Sequence, residues 1–164
     1  MNTDSQVYIQ IGDQEPRAIK VNDEDTIASI LARLRDENPG LVEDPDLLVV
    51  FAEDSDEEIA HARKLCECQP HRPKILHCHR CRKISVSVSY NGEESRKFGP
   101  NTKIRRVTTW AKNQFGVDAG RKWVIRLGGA EGDILDPDTK IGKLVSFPDC
   151  KLSLFLTERC LIQG

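Results

Sequence analysis

Aromatic side chains make up only 5% of the 164 residues, and methionine occurs once. Single-strand nucleic-acid surfaces interleave stacking rings with massed bases. Rings this scarce, among bases scattered between acids, argue against that class of partner. No apolar run approaches the ~18 residues of a membrane span, which excludes an integral membrane helix. The opening MNTDSQVYIQIGDQEPR lacks a basic start followed by an apolar stretch, so no export signal is visible and a soluble, cytoplasmic protein is expected. The chain is also short of net charge, at −2, but not evenly so. Residues 1–60 carry sixteen acids and four bases, and residues 61–164 carry ten acids and twenty bases.

Six cysteines are present: Cys66, Cys68, Cys78, Cys81, Cys150 and Cys160. Without an export signal, reduced thiols or a metal site are expected in preference to disulfides.

Val7, Ile9 and Ile11 alternate with Tyr8 and Gln10, a period of two that places three β-branched side chains on one face. A turn at Gly12-Asp13 and a second alternating run, Arg17 to Val21, complete a hairpin. Asp25-Thr26 then precedes Ile27, Ile30, Leu31 and Leu34, which share one helical face, and Asn38-Pro39-Gly40 stops the helix. Strands are expected at Leu47–Ala52 and Lys74–Arg82, with a helical turn in the polar stretch between them.

The order then repeats. Ile84, Val86, Val88 and Tyr90 alternate with serines, and Asn91-Gly92 is a strong hairpin signal. Asn101-Thr102 reads as the cap of a helix carrying Ile104, Val107, Trp110, Ala111 and Phe115, closed by Gly116. Trp123–Leu127 and Lys151–Leu156 are strands around a short polar connection. The expected core holds Ile9, Ile30, Leu34 and Phe51 in the first copy, and Val86, Val107, Trp110, Leu127 and Leu154 in the second. A period of about 80 residues with no Gly/Pro/Ser linker predicts two α+β units joined stiffly near Arg82.

Gly128-Gly129-Ala130-Glu131-Gly132 follows a strand but opens no helix, so it is a turn and not a phosphate loop. No cysteine lies in an obvious nucleophile setting, and an enzyme is not expected.

Hairpin, helix, strand, connection and final strand is the order of the ubiquitin β-grasp fold. Thr26-Ile27 and Lys103-Ile104 open helices where ubiquitin-like proteins do. Val49-Val50-Phe51-Ala52 resembles ubiquitin's third main strand, and Leu135-Asp136-Pro137-Asp138-Thr139-Lys140-Ile141 its acidic connection. Cys150 to Leu156, and Ile75 to Cys78 in the first copy, resemble its last strand. The segment from Arg96-Lys97-Phe98 through Trp110-Ala111 to Phe115-Gly116 is most similar to the tandem ubiquitin-like modifier of bacterial antiphage conjugation operons, the Bil systems. Its eukaryotic analogue is the interferon-induced two-domain modifier.

That resemblance implies two β-grasp domains, 1–82 and 83–156, followed by a conjugation tail, 157–164. It implies that Gly164 is the acyl donor, adenylated by an activating enzyme that uses ATP, passed to an enzyme cysteine as a thioester and joined to a target lysine. The protein itself needs no cofactor. A residue without a Cβ suits an acyl carbon that must thread a narrow channel. Arg159, Cys160, Leu161, Ile162 and Gln163 would be the tail that conjugation enzymes read, with Gln163 standing where ubiquitin has the first of two glycines. The implied partners are an activating enzyme, a conjugating enzyme, a deconjugating metalloprotease and a phage structural target such as a tail component. Ubiquitin's recognition patch maps to Val50 and His79 in the first copy and to Arg126 and Phe155 in the second, the latter pair being the expected partner-binding surface. Read blandly, each apolar member is one exposed side chain needing no explanation.

Two rivals stand beside this reading. One is a non-covalent adaptor on the same fold. The other is a small zinc protein using Cys66, Cys68, Cys78 and Cys81, of which Cys78-x-x-Cys81 has zinc-like spacing. A strand through residues 75–81 would point Cys78 and Cys81 to opposite faces and leave His77 and His79 in solvent, so no metal is expected.

Overall fold

A computed structural model of the chain describes residues 5–12, 14–40, 42, 44–53, 55, 57–68, 74–118 and 120–159. The chain divides into two compact units, Met1–Arg82 and Lys83–Gly164.

In the first unit, β1 (Ser5–Ile11) and β2 (Arg17–Val21) form the hairpin. Helix α1 (Ile27–Glu37), β3 (Val49–Ala52) and β4 (Ile75–His79) follow, and the sheet runs β2-β1-β4-β3 with β1 and β4 parallel. The helix forms because Ile27, Ile30, Leu31 and Leu34 make one apolar stripe, all of it buried. Thr26 Oγ1 accepts the Ser29 N–H at 3.1 Å, a cap that satisfies one orphan donor of the first turn. Two more orphans, the Ile27 and Ala28 N–H groups, donate to Arg63 and His61 carbonyls at 3.0 and 2.8 Å. Nearby, burial pushes the Asp25 carboxyl up, but the Asn22 N–H and the Arg33 guanidinium outweigh it and hold it below its usual range. The stripe packs on Val7, Ile9, Ile19, Val50, Leu76 and Cys78.

The second unit repeats the plan with β5 (Ile84–Ser89), β6 (Glu93–Phe98), α2 (Ile104–Phe115), β7 (Trp123–Leu127), β8 (Asp133–Ile134) and β9 (Lys151–Glu158). Its sheet runs β6-β5-β9-β7-β8, with β5 and β9 parallel. Ile84, Val86, Val88, Ile125, Leu154 and Leu156 are buried, beneath Ile104, Val107 and Ala111 of the helix. The chain leaves α2 through Gly116 at φ +61°, a conformation that costs a residue without a Cβ nothing.

Several expectations are corrected. Ile9, Ile30, Leu34 and Phe51 are buried, as are Val86, Val107 and Leu154, but Trp110 and Leu127 are only half-buried. Ala111 completes the buried stripe with Ile104 and Val107, at steps of three and four. Trp110 lies on its flank, edge-on to Phe98 at 5.5 Å. Asn101 and Thr102 do not cap α2; Lys103 occupies that position with no side-chain cap. The backbone before it is drawn elsewhere, since the Ile141 and Gly142 N–H groups donate to Thr102 and Pro100 carbonyls. Leu47 falls in a 3₁₀ turn, Pro45–Leu47, and is 62% exposed, so β3 begins two residues later than expected. The strand β4 stops at His79, before Cys81, and both His77 and His79 are buried, not solvent-facing.

Candidate functional site

The second sheet turns one face to α2 and the other away from it. Along β5 the apolar residues are buried while Ser85, Ser87 and Ser89 are half-exposed on the opposite face. Along β9, Leu152, Leu154 and Leu156 point inward, so the period of two places Phe155 and Thr157 outward. Arg126 of β7 lies directly opposite Phe155 across the ladder. Its guanidinium is pinned, Nε donating to Thr157 Oγ1 at 2.9 Å and one terminal nitrogen to the Gly132 carbonyl at 2.8 Å. The structure thus brings the two expected surface residues together.

The structure also supplies what sequence reading missed. Phe155 borders a shallow hollow of about 450 Å³, shared with Ser89, Tyr90, Asn91, Gly92 and Ala130. The hairpin between β5 and β6 forms one wall, and its turn uses Asn91 at φ +46° and Gly92 at φ +129°. Tyr90 is braced edge-on by Phe115 at 5.7 Å and Trp123 at 5.2 Å. The Asn91-Gly92 dipeptide was the available signal for this wall. An apolar ring beside a braced hairpin and a fixed guanidinium is equipped to receive an aliphatic side chain from a partner.

The first sheet does not mirror this face. Val50 is fully buried against α1, and Val49, one residue earlier, pairs with His79 on the far face. A slip of one residue exchanges the faces of a strand, which explains the misplacement of Val50. His79 is itself only 4% exposed, edge-on to Phe51, and His77 bonds to Glu53.

The root of the tail is tied down further along than expected. Thr157 and Glu158 belong to β9 and pair with Val124 and Trp123, so the strand does not end at Leu156. The Arg159 N–H then donates to the Lys122 carbonyl at 2.8 Å, and Glu158 accepts from Arg121 at 3.2 Å. Cys160, Leu161, Ile162, Gln163 and Gly164 lie outside the described residues.

The alternative metal set is not assembled. Cys66 is exposed, and Cys68 is buried with its thiol directed to the Lys64 carbonyl at 3.6 Å. Cys78 is in the core, where burial pushes its thiol up to about 12. Cys81 is disulfide-bonded, which corrects the expectation of a reduced thiol there. Among the described residues, no three His, Cys, Asp or Glu side chains gather as a metal set.

Among the described residues, no helix is long and apolar enough to cross a membrane. Residues 85–159, from β5 to the root of the tail, match a family model described as BilA ubiquitin-like domain 2. The second unit is thus similar to a ubiquitin-like domain of the Bil type. No curated protein matches the chain.

Proposed function

We propose that the chain is a tandem ubiquitin-like modifier of an antiphage conjugation system, with Gly164 as the acyl donor. The observation that carries this reading is the match of the second unit to BilA ubiquitin-like domain 2. Two features of the first unit support a second β-grasp. Its strands follow the same order around a parallel central pair. Its helix also starts by the same device: an isolated bridge, Thr26 to Lys64 in one unit and Lys103 to Lys140 in the other, ties the connection to the cap. In both, carbonyls of that connection accept the first helical N–H groups.

In this reading an activating enzyme adenylates the Gly164 carboxylate with ATP, releasing pyrophosphate. An enzyme cysteine then displaces AMP to form a thioester, and a target lysine displaces the thiol to form an isopeptide bond. The target is a phage structural protein such as a tail component, and a metalloprotease reverses the linkage. Arg126, Phe155 and the hairpin hollow dock the enzymes, while Arg159 to Gln163 thread the tail. The setting is the cytoplasm.

The test uses the full chain, its activating enzyme and ATP, with the thioester read on a non-reducing gel. Deleting Gly164 should abolish the thioester while the circular dichroism spectrum is unchanged. Phe155→Ala should lower kcat/KM for thioester formation by about tenfold, the loss of one buried apolar anchor at an interface. Conjugates that persist after deletion of Gly164 would remove the mechanism. An intact chain that binds these enzymes but never forms a thioester would establish the non-covalent adaptor instead.

A further inference from the structure

A second trough lies on the second unit, apart from the Phe155 hollow. Strand β7 is paired along its whole length by β9 on one side. On the other side, β8 pairs only with Arg126 and Leu127, and one further bond runs from the Leu135 N–H to the Ile125 carbonyl at 2.9 Å. The chain then turns away, because the Pro137 and Thr139 carbonyls are bonded to the first N–H groups of α2. Among the described residues, Trp123 and Val124 therefore have no strand on that edge. The space between this edge and α2 is a trough of about 370 Å³.

Its lining combines apolar side chains with three cationic ones, Arg105, Lys112 and Arg159. Ile134, 45% exposed, and Leu135 line it together with Val124 of the sheet. On the helix side the Thr108 and Thr109 hydroxyls donate back to the Ile104 and Arg105 carbonyls, which leaves neither with a proton to donate into the trough. Among the described residues, no carboxylate lines the trough. Arg105 is paired with Asp138 at 2.8 Å, but Lys112 and Arg159, which also line it, have no ion-pair partner among the described residues.

We infer that this trough binds an extended acidic segment of a partner protein, added as a strand to the free edge of β7. An unpaired edge offers backbone donors and acceptors, the usual basis of strand addition. Alternate apolar side chains of the segment fill the space between Val124 and Ile134, and its carboxylates meet Lys112 and Arg159. Charge complementarity selects an acidic segment over a basic one. The inference stands on the edge and the charges, and it does not depend on the acyl chemistry of Gly164.

The probe is a synthetic nonapeptide of valine and isoleucine alternating with aspartate and ending in two glutamates. It is titrated into the full-length protein and followed by amide chemical shifts. Shifts should concentrate at Thr108, Trp123, Val124 and Ile134. A double substitution, Lys112→Glu with Arg159→Glu, should weaken binding at least about tenfold, as should 1 M salt, since exposed pairs are screened. Both sites are exposed or at the helix surface, and an unchanged amide spectrum elsewhere confirms the fold. The same peptide with proline at its central valine should fail to bind, because strand addition needs that N–H. The proposal is overturned if millimolar peptide produces no shifts, if shifts centre on Phe155, if the double variant binds as the parent does, or if a single-stranded oligonucleotide takes the trough in the peptide's place.

Discussion

The two sheets share an order and a covering helix, and differ in the face turned away from that helix. In the first unit the β3–β4 side of that face is closed, with Val49, Phe51, His77 and His79 all buried, and Tyr8 of β1 is 45% exposed. In the second it is open, a row of half-exposed serines from β5 beside Arg126 and Phe155. The position opposite the end of β4 shows the divergence most plainly. Val49 faces His79 in one sheet, and Arg126 faces Phe155 in the other. One backbone plan therefore supports a face whose exposed ring is Tyr8 of β1 and a face that sets its ring, Phe155 of β9, beside a fixed guanidinium. Net charge divides along the same line, −7 for residues 1–82 and +5 for residues 83–164. The two units thus differ both in the outward face of the sheet and in the sign of their charge.

The largest expected effect tests that contrast directly. Phe51→Ala removes a ring that is 3% exposed and should cost about 3–5 kcal/mol, transfer and cavity terms together. Phe155→Ala removes a half-exposed ring, leaves no enclosed cavity and should cost about 1 kcal/mol or less. Urea denaturation of each variant gives the difference. Equal costs would mean that the Phe155 face is also covered, and the hollow would lose its claim as a docking surface.

Much of this contrast was legible wherever residues alternate. Ile84, Val86 and Val88 against three serines define both the strand and its faces, and Asn91-Gly92 announces the hairpin that walls the hollow. The stripes Ile27-Ile30-Leu31-Leu34 and Ile104-Val107-Ala111 define both helices. Where alternation fails, so does the assignment of faces. Val49-Val50-Phe51 is apolar throughout, and a run without period cannot say which member turns inward. Thr157 and Glu158 look like tail because they are polar, yet their backbone groups pair with β7; a strand's end is set by its partner, which lies some thirty residues away. The trough on β7 had no signal in the sequence, since it exists only because Leu135–Pro137 leaves the sheet for the start of α2.

A smaller effect distinguishes the two cores. The last strand of each sheet carries an inward residue beside the third inward residue of the first strand, Cys78 with Ile11 and Leu154 with Val88. Only the first of these can titrate. Burial raises the Cys78 thiol from 9.0 to about 12. The unfolded chain releases this proton above its ordinary value while the folded chain retains it. Stability from this group is thus complete below pH 9 and falls as pH rises from 9 toward 12, by up to about 1.4 kcal/mol per pH unit. Cys78→Val should flatten the part of the alkaline loss that the first unit contributes, and Leu154→Val should leave the slope unchanged. Measuring urea midpoints between pH 8 and pH 10.5 decides it; identical slopes for parent and Cys78→Val would mean that the thiol is not sealed in the core.

The smallest effect concerns how each helix begins. Both helices hand their first N–H groups to carbonyls of the connection that follows, but only α1 adds a side-chain cap. Thr26 Oγ1 accepts the Ser29 N–H, and Ser29 Oγ donates in turn to the Thr26 carbonyl at 2.8 Å, closing a reciprocal pair. Lys103 holds the same position in α2 with the same extended backbone, φ −81° and ψ 150° against −85° and 160°, and makes no such bond. Thr26→Ala should therefore cost about 1 kcal/mol, the ordinary loss of a cap. Lys103→Thr supplies the missing cap acceptor and should stabilise the start of α2 by a few tenths to about 1 kcal/mol, because the backbone already has the geometry a cap requires. Differential scanning calorimetry reads both changes as shifts of the unfolding temperature. If Lys103→Thr produces no gain, the connection carbonyls already saturate the start of α2, and the side-chain cap in α1 is needed only because its own connection is the weaker clamp.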